Sequence, residues 1–147
     1  GAAPFALGFQ EGFARRHRVT AETVATAIKI GDPASWDRAV RSIRETNGVV
    51  ATVTDAEILE AKAIVDAAGV GCEPASAASV AGVKALRARG IIAPEADVVA
   101  VLTGHVLKDP GALLSYHRET EPAPAHANRP IEIEPTVAAV AAVFGRS

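Results

Sequence analysis

The sequence predicts an α/β fold, a mostly parallel sheet flanked by helices. Three observations carry that reading. Short β-branched runs alternate with segments of helical length and spacing. The run "DVVAVLT" at 97–103 is continuously apolar and of strand length, the pattern of a strand buried on both faces. The stretch "TDAEILEAKAIVDAAG" at 54–69 carries both ends of a helix in its own sequence: Thr54 and Glu57 fit a capping box, and Gly69 fits a stop.

Each element follows in chain order. Residues 4–16 have helical spacing, with Phe5, Phe9 and Phe13 on one stripe. "TVATAIKI" at 23–30 is β-branched and mostly apolar, a strand or a buried extended segment, broken by Gly31-Asp32-Pro33. "ASWDRAVRSIRETNG" at 34–48 predicts a helix, with Asp32 or Ser35 as its N-cap, Gly48 at its end and Trp36 anchoring it to the body. "VVATVT" at 49–54 predicts a short strand. In the 54–69 helix, Ile58, Leu59, Ala61, Ile64 and Val65 form the apolar face. Pro74 starts a helix that Gly90 ends. After the 97–103 strand, "GHVLKDPG" is a loop and residues 118–134 are Pro- and Ala-rich, extended and exposed. "PTVAAVAAVFG" closes the chain as a small apolar helix.

Composition excludes several classes. The chain has 147 residues and a net charge of −2, with both signs interspersed, so it lacks the basic stripe of a nucleic-acid binder. Arg15, Arg16, His17 and Arg18 read as a solvated helix end. No apolar run reaches the ~18 residues of a membrane span. The four histidines are scattered without ligand spacing, which predicts no metal site. Aromatic residues are 4% of the chain, so the core must be built from Ala, Val, Ile and Leu. The single cysteine, Cys72, excludes an internal disulfide; with no visible secretory signal, the expected compartment is the cytoplasm. The chain contains no methionine and opens on "GAAPFALGFQEGF", a glycine-rich turn running into a helix. The expectation is a fragment of a longer polypeptide; an engineered start or a processed N-terminus are the alternatives.

In α/β sheets, ligands gather where strands end and helices begin. Two places here have that pattern: the start of the 74–90 helix, and Leu102-Thr103-Gly104-His105. The first carries Glu73, Ser76 and Ser79 among alanines, where a buried helix would carry leucines.

Those two places also carry a resemblance. "GCEPASAASVAGVKAL" at 71–86, followed by "VVAVLTGHVLKDP" at 98–110, resembles the C-terminal half of the threonine synthases. These are pyridoxal-phosphate enzymes of the tryptophan-synthase-β-like group, fold type II. "ATAIKIGDPASWDRAV" at 25–40 and "TVTDAEILEAKAIV" at 52–65 resemble the same family, so the likeness covers about residues 1–112. Related dehydratases and racemases carry similar segments. The resemblance implies that residues 1–117 are the C-terminal portion of a catalytic domain, with 118–134 an extended segment and 135–147 a closing helix. It implies conversion of O-phosphohomoserine and water to threonine and phosphate, with pyridoxal phosphate supplying the hard chemistry. It also implies a homodimer when the chain is full length.

The family's Schiff-base lysine lies in a Ser-Phe-Lys-Asp type motif and its phosphate site in a Gly/Asn-rich loop; neither motif is in this chain. The missing N-terminal half is therefore the expected partner. Lys62 and Lys84 read as solvated helix residues, Lys29 alternates outward from Ile28 and Ile30, and Lys108 follows the Thr-Gly-His loop without matching the Schiff-base position. A non-catalytic α/β binding module fits the same absence.

By resemblance, Thr103 hydrogen-bonds the cofactor's ring nitrogen, with Gly104 beside it. Ala75, Ser76 and Ala77 face the cofactor, Glu73 precedes the helix, and Thr26 and Ala27 lie beside the ring where small side chains leave room. Each has a plainer reading. Thr103 can cap its own loop. Glu73 can be held by the helix N-terminal amides. Ser76 and Ser79 can serve close packing, and His105 and Cys72 can be structural. Two positions depart from the family pattern: Val106 stands where glycine is usual, and Asp32 where asparagine is common.

Overall fold

The structure is a computed structural model that describes residues 1–145. Six α-helices follow one another: α1 (Pro4–Gln10), α2 (Trp36–Glu45), α3 (Asp55–Ala67), α4 (Pro74–Ala88), α5 (Pro110–Leu114) and α6 (Val137–Phe144). A single 3-10 turn spans Thr26–Ile28 and a π-turn spans Ser115–Glu119. The last two residues of the expected 135–147 helix lie outside the described residues.

The first four helices stop in the same way. Each ends at a left-handed residue, Gly12, Asn47, Gly69 or Gly90. In each, that residue and its successor return their amides to the last turn: Phe13 to Gly8 at 2.6 Å, Gly48 to Ile43 at 2.8 Å, Val70 to Val65 at 3.3 Å, and Ile91 to Leu86 at 3.0 Å. This is the Schellman arrangement, which satisfies carbonyls the helix leaves open. The starts are also encoded locally. Thr54 and Glu57 form the expected capping box, and Thr136 accepts from the Ala139 amide at the head of α6.

The fold corrects the sequence reading in three places. The expected 4–16 helix stops at Gln10, because Gly12 and Phe13 both turn left-handed. Phe13 then folds back, its ring 5.0 Å from Phe5 and 6.2 Å from Trp36. Trp36 is buried in that cluster and does anchor α2. At the end of α2, Asn47 rather than Gly48 takes the left-handed position.

The largest difference concerns the sheet, which the described residues leave unconfirmed. Among the described residues there is no strand. "TVATAIKI" buckles into the 3-10 turn, Ile28 donating to Ala25 at 3.0 Å. "VVATVT" and "DVVAVLT" form no regular element. The latter is not buried on both faces: Val99 is 90% and Val101 69% exposed. A strand exists only as a hydrogen-bonded pair, and no described segment pairs with these runs. The accessible surface is accordingly large, 9791 Å², where a compact chain of 15.1 kDa exposes about 7,100 Å².

The core sits between α3 and α4. Ile58, Ala77, Cys72 and Ala25 are buried together, with Val53, Val65 and Leu102 packed around them. Ala77 and Ala81 on α4 meet a helix whose Ala61 and Ala63 are also buried. Small residues on both helices allow this close approach. Ala77 therefore belongs to the core and not to a ligand-facing surface.

Candidate functional site

The start of α4 and the loop at 103–109 are locked together through Gly104. The Glu73 amide donates to the Gly104 carbonyl at 3.1 Å, and the Gly104 amide donates to Ser76 Oγ at 3.0 Å. Both backbone polar groups of one residue are thus held by the first turn of one helix. Only glycine fits there, since a Cβ on Gly104 would overlap the Glu73 carboxylate. Next to it, Thr103 Oγ1 lies 3.4 Å from Ser76 Oγ. Thr103 is exposed and Ser76 is buried.

Glu73 is the N-cap of α4, yet its side chain makes no capping hydrogen bond. Its carboxylate is buried and pairs with Lys108 Nζ at 3.3 Å. The far end of the loop is tied to a different part of the chain. Thr26 Oγ1 donates to Asp109 Oδ2 at 2.6 Å, and Asp109 is left-handed with φ 53°. Ala27 is exposed beside Thr26 in the 3-10 turn, while Ala25 is buried.

The structure therefore brings Glu73, Ser76, Thr103 and Gly104 into one cluster, with Thr26 and Ala27 at the other end of the same loop. Ser79 is not part of it, since its hydroxyl turns back to the Ser76 carbonyl at 2.8 Å. His105 uses Nδ1 to accept from the Leu107 amide at 3.1 Å, a local turn contact. Val106 packs on Gly71, where a Cβ would come within 3.2 Å of its own. Cys72 is fully buried and burial pushes its thiol up, which keeps it protonated. Two cavities, of about 610 and 460 Å³, lie elsewhere; neither is lined by Thr103, Ser76 or Gly104.

Sequence reasoning missed a second polar cluster. Lys62, expected in solvent, is 2% exposed. Its Nζ lies 2.6 Å from Asp66 Oδ2, and Asp66 Oδ1 accepts from the Cys72 amide at 3.2 Å. The signal was present: Ile58, Lys62 and Asp66 recur every four residues, so Lys62 shares a stripe with a core isoleucine. Every lysine of the chain has a carboxylate partner: Glu22 for Lys29 at 2.6 Å, Asp66 for Lys62 at 2.6 Å, Glu60 for Lys84 at 2.9 Å, and Glu73 for Lys108 at 3.3 Å. Also missed was Asp55, which accepts from Thr23 Oγ1 at 2.5 Å and from the Val24 amide at 3.2 Å.

Among the described residues, no group of three His, Cys, Asp or Glu comes together as a metal site. Among them, too, no helix is long and apolar enough to cross a membrane.

Known proteins resemble this chain. The family described as pyridoxal-phosphate dependent enzyme matches residues 1–104. A threonine synthase of Synechocystis sp. is 59% identical over 90 residues, covering 60% of this chain and 23% of that protein. One from Methanosarcina acetivorans is 48% identical over 99 residues, covering 67% and 24%. One from Mycobacterium leprae is 41% identical over 133 residues, covering 90% and 35%. The chain thus spans between 23% and 35% of the length of these relatives. It belongs to the pyridoxal-phosphate-dependent enzyme family.

Proposed function

We propose that this chain is the C-terminal segment of a threonine synthase, a lyase that converts O-phosphohomoserine and water to threonine and phosphate. One observation carries the reading. The relatives, 59, 48 and 41% identical, are threonine synthases, and the family match over residues 1–104 spans Thr26, Ala27, Glu73, Ser76, Thr103 and Gly104. The family is an α/β one of fold type II. In this reading 1–117 is the C-terminal portion of the catalytic domain, 118–134 an extended segment and α6 its closing helix. The runs at 49–54 and 97–103 are strands of a mostly parallel sheet completed by the rest of the polypeptide. The assembly is a cytoplasmic homodimer.

The residues present fit one side of a flat ring whose nitrogen accepts a single hydrogen bond. Ser76 Oγ already accepts from the Gly104 amide. With its own proton turned to Thr103 Oγ1, Ser76 leaves the Thr103 proton for that nitrogen. Gly104 removes side-chain bulk beside it. When bound, pyridoxal phosphate supplies the electron sink for the bond changes at the substrate. The chain's contribution is to hold the ring with a neutral hydroxyl, which carries no charge to keep a proton on the nitrogen. The Glu73–Lys108 pair ties the loop to the start of α4.

The Schiff-base lysine belongs to another part of the polypeptide in this reading. All four lysines here are held in ion pairs with carboxylates of this chain. The isolated chain is then inactive.

The test uses the full-length protein. Phosphate and threonine should form in equal amounts from O-phosphohomoserine. Deamination of threonine or serine, or their racemisation, without that reaction would assign a related family activity. Absence of cofactor binding would leave a non-catalytic module.

A further inference from the structure

We propose that Asp66 is a positioning residue for the cofactor-facing loop, with Lys62 as the buried counter-charge that holds it in place. The proposal rests on the reading of the loop given above and extends it to a part of the molecule that touches neither loop nor ring. Asp66 stands near the end of α3 with its two carboxylate oxygens divided. Oδ2 takes the Lys62 ammonium at 2.6 Å, and Oδ1 takes the Cys72 amide at 3.2 Å. Cys72 is joined to Glu73, whose amide holds the Gly104 carbonyl at 3.1 Å. Three residues further on, past Pro74 and Ala75, Ser76 holds the Gly104 amide and meets Thr103. One carboxylate therefore fixes the approach to α4, and α4 fixes both polar groups of Gly104.

The local sequence makes that anchor necessary. The connection from α3 to α4 runs through Gly69 and Gly71, both left-handed, with φ 79° and 66°. Two such glycines leave the backbone loose in the unfolded ensemble and give it few side chains to pack. Cys72 and Pro74 are buried at the end of this stretch, and Pro74 has no amide of its own to donate. The Cys72 amide is the polar handle available ahead of Glu73, and Asp66 takes it. Burying an ammonium beside this carboxylate is costly unless the geometry is good. A single charge-neutral hydrogen-bond acceptor would hold the amide too. The pair's use is to keep Asp66 in one rotamer, aimed at Cys72.

The experiment compares two double variants of the full-length protein. Lys62→Met with Asp66→Asn removes both charges and keeps a side-chain oxygen for the Cys72 amide. Lys62→Met with Asp66→Leu removes the charges and the acceptor. Neither leaves a lone buried charge, so both are expected to fold; Lys62→Met with Asp66→Ala repeats the second arm should leucine not be accommodated. Two readouts are taken. The first is the rate at which Cys72, fully buried here, reacts with an aromatic disulfide reagent. The second is the dissociation constant of pyridoxal phosphate, with kcat and KM alongside. The asparagine variant should stay within about twofold of native in both, while the leucine variant should lose about tenfold in thiol protection and in cofactor affinity. Equal behaviour of the two variants, or a cofactor effect without a change at Cys72, overturns the proposal. The thiol rate needs no substrate. A native protein that fails to turn over O-phosphohomoserine would therefore sink the activity assigned above and leave this comparison readable.

Discussion

The Glu73 carboxylate lies so close over Gly104 that position 104 has no space for a side chain. Gly104→Ala must therefore push a buried carboxylate aside or lift the loop from α4. Overpacking of this kind costs about 1–3 kcal/mol. Denaturant unfolding should record that loss. Glu73→Ala in the same chain should recover part of it, because the two side chains would compete for one space. Simple additivity of the two substitutions would show that they do not meet.

A second close approach holds the aromatic cluster. A Cβ on Gly8 would come within 2.6 Å of the Trp36 ring. That ring is also flanked by Phe5 at 5.1 Å and Phe13 at 6.2 Å, so it cannot simply slide. Gly8→Ala should destabilise the protein by about 1–3 kcal/mol and shift the tryptophan emission to longer wavelength. An unchanged spectrum would mean that the ring has a second site to occupy.

Acid should weaken the fold in two windows. Burial holds His117 below its ordinary value of 6.5, with Asp66 opposing and Lys62 reinforcing the shift. The unfolded chain then takes up a proton before the folded one does, so stability is complete above pH 6.5 and falls as pH drops below it. Glu57 lies below its ordinary 4.5 because the Thr54 amide and hydroxyl bond its carboxylate. Its contribution is present above pH 4.5 and is lost on further acidification. His117→Gln keeps an acceptor for the Asn128 amide, which His117 Nδ1 now holds at 2.9 Å. The melting temperature of that variant should change less than that of the native protein between pH 7.5 and 5.5. Parallel curves would remove His117 from the account.

Thr103 offers the most direct reading of the loop. Thr103→Ser should keep the hydroxyl and most activity, and Thr103→Val should weaken cofactor binding. Thr103→Asp should favour a protonated ring nitrogen, since a charge-assisted hydrogen bond of about 1.5–3 kcal/mol moves its pKa by roughly one to two units. The cofactor absorbance and the product ratio report each change. If all three variants match the native protein in both, Thr103 serves its own loop and nothing more.

What the sequence made legible was local. The capping box at Thr54, the proline start at Pro74 and the stops at Gly69 and Gly90 depend on residues within one turn of each other, and all four are formed. The sheet was not legible in the same sense. Apolar runs such as "DVVAVLT" encode a demand for partners, and pairing is a property of two segments rather than one. The site divides along the same line. Glu73, Ser76, Thr103 and Gly104 were named from two short stretches and do meet. The contacts from Thr26 to Asp109 and from Glu73 to Lys108 join residues that no spacing rule relates. Lys62 misled because a lysine is nearly always solvated, although its place four residues after Ile58 put it on the inward stripe.

The four left-handed helix stops carry a consequence for how such a chain can be divided. Each helix is punctuated by its own residues, so none depends on a sheet to tell it where to end. The helical layer is in that sense written in self-contained words, while a run that must pair to become a strand is only half of a sentence. Cutting a protein of this kind between segments would leave the helices recognisable and the sheet unspoken.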